Sequence, residues 1–168
     1  MNLAVDIGNT YIKAALFKNA QIIWHKKGLQ DNLIHVLRPL FEKYNIHHLI
    51  YSASGKTDDR LISFFKDNCH TIAFDHKTRL PFENTYETPE TLGLDRLALM
   101  AAANHLYARQ NVLVIDAGTC ITYDFITEEG RYLGGSISPG IEMRLKALNH
   151  FTAGLPKISL EEPKTAPI

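Results

Sequence analysis

Leu3, Val5 and Ile7 are apolar at every second position, the period of a strand with one buried face. Gly8-Asn9-Thr10 interrupts the alternation as a tight turn, and Tyr11 to Phe17 resumes it as a second strand. After a turn at Lys18-Asn19-Ala20, Gln21 to His25 makes a third, so the chain opens as three antiparallel strands. The period then changes. Leu33, Val36, Leu37, Leu40, Phe41 and Tyr44 share one face of a helix capped at Asp31 and ending near Asn45, which Pro39 should kink or split. His48 to Ala53 reads as a short buried strand parallel to the first. Next comes a helix from Asp59 to Asn68, capped by Thr57 or Asp58, with Leu61, Phe64 and Phe65 turned inward. Thr71 to Phe74 is a further strand.

Residues 75–91 carry two prolines and little periodicity, a loop of a length that usually links or functions. An Ala-rich helix from Thr91 to about Arg109 leads to a second strand pair, Asn111 to Phe125. Arg131 to Leu133 is a short strand, Gly134 to Gly140 a flexible turn, and Ile141 to Asn149 a helix. From Lys157 the pattern stops in a linker-like tail.

Composition narrows the function classes. Over 168 residues, 45% are hydrophobic and 21% charged, an ordinary globular profile with enough chain to bury a core. Eighteen basic residues balance eighteen acidic ones, so no net field favours nucleic acid or an anionic membrane. The eight histidines are scattered, and Cys69 and Cys120 have neither metal nor redox spacing. The opening strand with Asp6 inside it is unlike a signal peptide, and no apolar run reaches membrane-spanning length. The expectation is a cytoplasmic protein.

The chemistry concentrates in the first turn. Gly8 has no Cβ to hold an anion away, and turn amides with the Thr10 hydroxyl can donate to phosphate oxygens. Asp6 cannot face bare phosphate, so its natural task is to hold a hydrated Mg²⁺. A plain hairpin is the alternative. The same design returns at Val112 to Tyr123: apolar strand, Asp116-Ala117-Gly118, the hydroxyl of Thr119, second strand. Such a repeat is domain-scale, and two Asp-x-Gly hairpins facing across a cleft can hold one nucleotide. Ser54-Gly55-Lys56-Thr57 imitates the end of a Walker A loop, but Ile50 stands where that motif needs a glycine, so it reads as a connecting loop. Gly93-Leu94-Asp95-Arg96 puts two charges at the opening of an apolar helix. The helix dipole accounts for Asp95, with Arg96 then on the solvent side, but gives no reason for Gly93.

Taken in order, Asp-x-Gly-Asn-Thr, Gly-x-Asp-Arg, Asp-Ala-Gly-Thr and Gly-Gly-x-Ile-x-Pro-Gly resemble the motifs of the type III pantothenate kinases. These belong to the acetate kinase, sugar kinase, Hsp70 and actin superfamily. The resemblance implies an α/β protein of duplicated ribonuclease-H-like domains, the actin-like ATPase fold, with a mixed five-stranded sheet and helices. Residues 1–110 would be the first domain and residues 111–168 the start of a second, left incomplete. The implied reaction is ATP-dependent phosphorylation of pantothenate, the first step of coenzyme A biosynthesis. Its implied residues are Asp95 as the base, with Tyr86, Gly93, Leu94, Asp95 and Arg96 at pantothenate. ATP falls to Asp6, Ile7, Gly8, Asn9, Thr10, Tyr11, Ile12, Lys13 and Thr119. Asp116 would hold a monovalent cation, K⁺ or NH₄⁺, and Asp6 the Mg²⁺ at the phosphates. The family resemblance further implies a homodimer. Two other readings stand beside it: a non-catalytic nucleotide-binding regulator of this fold, and another small-molecule kinase of the superfamily.

Overall fold

The computed structural model describes residues 1–8, 11–28, 33–54 and 57–159. They form two compact units that interleave along the chain. One comprises Met1–Arg79 with Glu90–Ala98, the other Leu80–Pro89 with the chain from Leu99 onward.

The first unit is built on a five-stranded sheet. Its strands are β1 (Asn2–Ile7), β2 (Ile12–Lys18), β3 (Gln21–Gly28), β4 (His48–Ala53) and β5 (His70–Ala73), in the order β3-β2-β1-β4-β5. β1, β2 and β3 pair antiparallel, whereas β4 lies parallel to β1 and β5 parallel to β4. The mixed sheet and the direction of β4 are as the pattern predicts. Leu3, Val5 and Ile7 point to one face, where they join Leu16, Leu37, Leu49, Leu61 and Phe65 in the core. That face is covered by helices α1 (Leu33–Lys43) and α2 (Asp59–Asn68). Each such side chain contributes about 1.5–3 kcal/mol by leaving water.

Of the two effects expected of Pro39, a kink or a split, the split does not occur: α1 is one helix through Pro39. The proline is exposed, and so is His35, whose carbonyl loses its partner; water can supply the missing bond while Leu37 and Leu40 hold both flanks in the core. The expected cap at Asp31 lies outside the described residues. Asp58 does cap α2, its carboxylate accepting the Arg60 backbone N–H at 2.9 Å.

The second unit holds a four-stranded sheet of β6 (Glu83–Asn84), β7 (Val112–Ala117), β8 (Cys120–Ile126) and β9 (Arg131–Pro139), ordered β6-β9-β8-β7. The antiparallel run β7-β8-β9 repeats β1-β2-β3. Two sequence expectations change here. The loop 75–91 contains β6, which pairs parallel with β9 through Glu83 and Asn84, and a short 3-10 turn at Pro89–Thr91. The Gly134–Gly140 stretch is no flexible turn, because β9 runs through it to Pro139. Its glycines serve close packing: a Cβ on Gly135 would strike the Tyr123 carbonyl, and Gly134 turns at φ +96 under the Tyr86 ring. Helix α3 (Leu94–Leu106) stops short of Arg109, which takes a left-handed φ of 61, and α4 (Ile141–Phe151) follows β9.

The repeated three-strand runs match in chain direction but not in burial. With Asp6 and Asp116 as equivalent points, Leu113 and Ile115 correspond to Leu3 and Val5. Leu3 and Val5 are 1% and 3% exposed, while Leu113 and Ile115 are both 56% exposed. No helix among the described residues is long and apolar enough to cross a membrane.

Candidate active site

In the first unit, β1 and β2 are drawn together at the turn by Gly8, whose N–H donates to the Tyr11 carbonyl at 3.0 Å. A Cβ on Gly8 would lie 2.9 Å from that oxygen, so the bond needs glycine. Asn9 and Thr10, both expected at ATP, lie outside the described residues. Ile7 and Ile12 face each other across the strand pair and are buried, so only their backbones could meet a nucleotide. Asp6 and Lys13, one position away, are paired on the opposite face. Lys13 Nζ stands 4.0 Å from Asp6 Oδ2, with the side chains 65% and 39% exposed. Tyr11 is exposed near the tip and carries Lys27 Nζ 4.4 Å over its ring.

Ser52 was missed by sequence reasoning. It lies on β4 in register with Asp6 and donates its hydroxyl to Asp6 Oδ1 at 2.9 Å. The signal was available only through pairing: once β4 is laid parallel to β1, Asp6 meets Ser52.

At the start of α3, the Gly93 carbonyl accepts the Leu97 N–H at 3.2 Å, and Asp95 Oδ1 accepts the Arg96 N–H at 2.8 Å. The folded-back carboxylate occupies the space a Cβ on Gly93 would need. This explains the glycine that the dipole argument left unexplained. Asp95 and Gly93 remain exposed and Leu94 is half-buried. Arg96 is only 5% exposed, which overturns the placement of its side chain toward solvent in the plain-helix reading. His76 Nε2 lies 2.8 Å from the Leu92 carbonyl and fixes the approach to the helix.

In the second unit, Asp116 is the last residue but one of β7, in register with Thr122, and is exposed. The turn after it closes by Gly118 N–H to the Cys120 carbonyl at 2.9 Å. Gly140, the residue before α4, donates its N–H to the Thr119 carbonyl at 3.0 Å. A Cβ on Gly140 would collide with the carbonyls of Gly118 and Thr119. Sequence spacing does not show this contact. It brings the N-terminus of α4, with its partial positive charge, against the Asp116 hairpin, an arrangement suited to phosphate.

Tyr86 is half-buried in this unit. Its N–H donates to Asn84 Oδ1 at 3.1 Å, and its ring stacks on Tyr132 at 6.4 Å between centroids. Tyr132 in turn donates its hydroxyl to Asp124 Oδ1 at 2.6 Å, both residues being fully buried. That pair was also missed, although a carboxylate at an inward strand position between Tyr123 and Phe125 was a visible oddity.

The donor chemistry fits cations held in part by substrate. Among the described residues no group of three or more His, Cys, Asp or Glu gathers into a metal cage. Asp6 and Asp116 each offer a single hard-oxygen carboxylate, which suits a Mg²⁺ that keeps waters and shares phosphate oxygens, or a weakly held monovalent ion.

Two units of this kind belong to an α/β fold, the actin-like ATPase fold. Solved structures agree. A conserved putative Baf family transcriptional activator from Campylobacter jejuni is similar at a TM-score of 0.55 and 23% identity, over 95% of this chain and 66% of that one. The Aquifex aeolicus member of the Ppx/GppA family is similar at 0.50 and 16%, over 94% and 56%. At these identities the likeness is one of fold. Sequence goes further. The description type III pantothenate kinase matches residues 2–168. Proteins with that name are 46% identical over 168 residues in Christiangramia forsetii and 45% over 161 in Phocaeicola vulgatus. These alignments cover 99% and 95% of this chain, and 68% and 66% of the relatives. The chain belongs to the type III pantothenate kinase family and spans about two thirds of the length of these relatives. Its reaction class is that of a kinase, the ATP-dependent phosphorylation of pantothenate in coenzyme A biosynthesis.

Proposed function

We propose that the Asp6 and Asp116 hairpins are phosphate-site hairpins for ATP and that Asp95 accepts the proton of the pantothenate hydroxyl as it attacks the γ-phosphoryl group. The observation that carries the role of Asp95 is its exposed carboxylate, braced by the Arg96 N–H over a glycine that leaves it room. Phosphoryl transfer depends on positioning and charge stabilisation more than on a strong base, so a fixed carboxylate is the right kind of group. Gly93, Leu94, Arg96 and Tyr86 would frame pantothenate. Gly8, Asn9, Thr10, Tyr11, Lys13 and Thr119, with the backbones of Ile7 and Ile12, would grip ATP. Asp6 would hold Mg²⁺ and Asp116 a K⁺ or NH₄⁺ ion. When bound, the divalent ion neutralises charge on the phosphate oxygens. The family resemblance supports a cytoplasmic homodimer, with residues 1–110 and 111–168 as its two domain portions, and the balanced charge supports a site without nucleic acid or membrane.

The test is to measure ATP and pantothenate binding separately from turnover in Asp116→Asn and in wild type across a K⁺ titration. Loss of K⁺ dependence with pantothenate binding retained is expected. A K⁺ response identical to wild type would remove Asp116 from the cation site.

A further inference from the structure

The two oxygens of Asp6 are not equivalent. Oδ1 accepts a 2.9 Å hydrogen bond from Ser52 Oγ, whereas Oδ2 faces Lys13 Nζ at 4.0 Å, beyond hydrogen-bonding reach. The three residues form one row across three strands, because β1 pairs Asp6 with Ser52 of β4 on one side and with Lys13 of β2 on the other. They share the face of the sheet opposite the buried Val5 and Ile7. A hydroxyl is well chosen for the first oxygen. It donates one bond without adding positive charge, so the carboxylate keeps its full negative charge while its rotation is restricted. A lysine at that position would neutralise the carboxylate, and an alanine would leave it free to turn toward Lys13.

We propose that Ser52 is a positioning residue of the phosphate site, clamping Asp6 Oδ1 so that Oδ2 is presented to the hydrated Mg²⁺ of MgATP. This rests on the reading that the Asp6 hairpin takes the nucleotide phosphates. Outer partners of this kind orient the group that meets the metal, and their loss typically costs about 10–100-fold in metal affinity. The bond here is a single neutral donor on a partly exposed carboxylate, so the low end of that range applies. The effect should fall on the metal-dependent part of nucleotide binding alone. A general weakening of the sheet would instead lower binding with and without metal.

The experiment measures ATP affinity by calorimetry in Mg²⁺ and again in EDTA, for wild type, Ser52→Ala, Ser52→Cys, Ser52→Thr and Asp6→Asn. Ser52→Ala should bind MgATP about tenfold more weakly and metal-free ATP as wild type does. Ser52→Cys, nearly isosteric but a weak donor, should show the same selective loss and covers the case in which the alanine variant folds poorly. Ser52→Thr restores the hydroxyl and should restore MgATP affinity. Asp6→Asn should abolish most of the Mg²⁺ effect. If Asp6→Asn loses the Mg²⁺ effect while Ser52→Ala and Ser52→Cys keep it, the role of Ser52 is overturned and the hairpin reading stands. If Asp6→Asn itself binds MgATP and metal-free ATP as wild type does, both are overturned. Equal losses with and without metal in the Ser52 variants would make the residue structural and likewise overturn the proposal.

Discussion

Gly93 and Asp95 are best understood as one feature. The carboxylate folds back to the Arg96 N–H and passes through the volume where residue 93 would carry a Cβ. Gly93→Ala should therefore displace the carboxylate and lower kcat by about 10–100-fold, since misplacement near 1 Å can cost that much. Its melting temperature should stay close to wild type, because both residues are exposed. Steady-state kinetics with a parallel thermal melt decides it: an unchanged kcat would mean that Asp95 need not be held where it is. Asp95, Asp6 and Asp116 stand out in the sequence as candidates because each sits in a short motif whose chemistry calls for a carboxylate. The sequence did not make Ser52 or the Tyr132–Asp124 pair legible, because those partners lie far apart or on different strands and meet only through register. Arg96 shows the opposite failure, a charge that local rules send to water and the tertiary fold buries.

Among the elements, α2 offers the cleanest test of local chemistry. Asp58 accepts from the Arg60 backbone N–H and from its guanidinium, at 2.7 Å to Oδ2. The Arg60 side chain foremost, and then its backbone N–H, hold the Asp58 carboxyl below its ordinary value. A lowered folded-state pKa means the cap stabilises fully above the unfolded value of about 3.9 and is lost as pH falls through the lower folded value. Asp58→Ala should thus melt earlier than wild type at pH 7, with the gap closing in strong acid, while Asp58→Asn keeps the cap acceptor and loses less. A gap that persists unchanged at pH 2 would show that the charge is irrelevant. Strand and helix positions were largely readable from periodicity, since β1, β2 and α2 each bury one clean stripe. Pro39 and the Gly134–Gly140 stretch were not, because propensity describes an isolated segment. Flanking leucines carry α1 through its proline, and the Tyr123 carbonyl and Tyr86 ring give the glycines a packing role inside a strand.

At the scale of the molecule, the two units differ in how well they close over their sheets. The first buries Leu3, Val5, Ile7, Leu37, Leu49 and Phe65, while the second leaves Leu113, Ile115, Ile137 and Phe151 exposed. Hydrogen exchange should accordingly give greater protection to β1 and β4 than to β7, since few apolar contacts back the latter. Equal protection in the isolated chain would contradict that ranking. The central claim is that Asp95 acts as the base in phosphoryl transfer to pantothenate, and a single-turnover measurement tests it most directly. Wild type and Asp95→Asn would be saturated with MgATP and pantothenate, binding having been measured beforehand. The account predicts near-wild-type affinities with transfer slowed about 10²–10⁴-fold, the usual worth of general-base help. Weakened pantothenate binding with an unchanged rate of transfer from the bound state would contradict it.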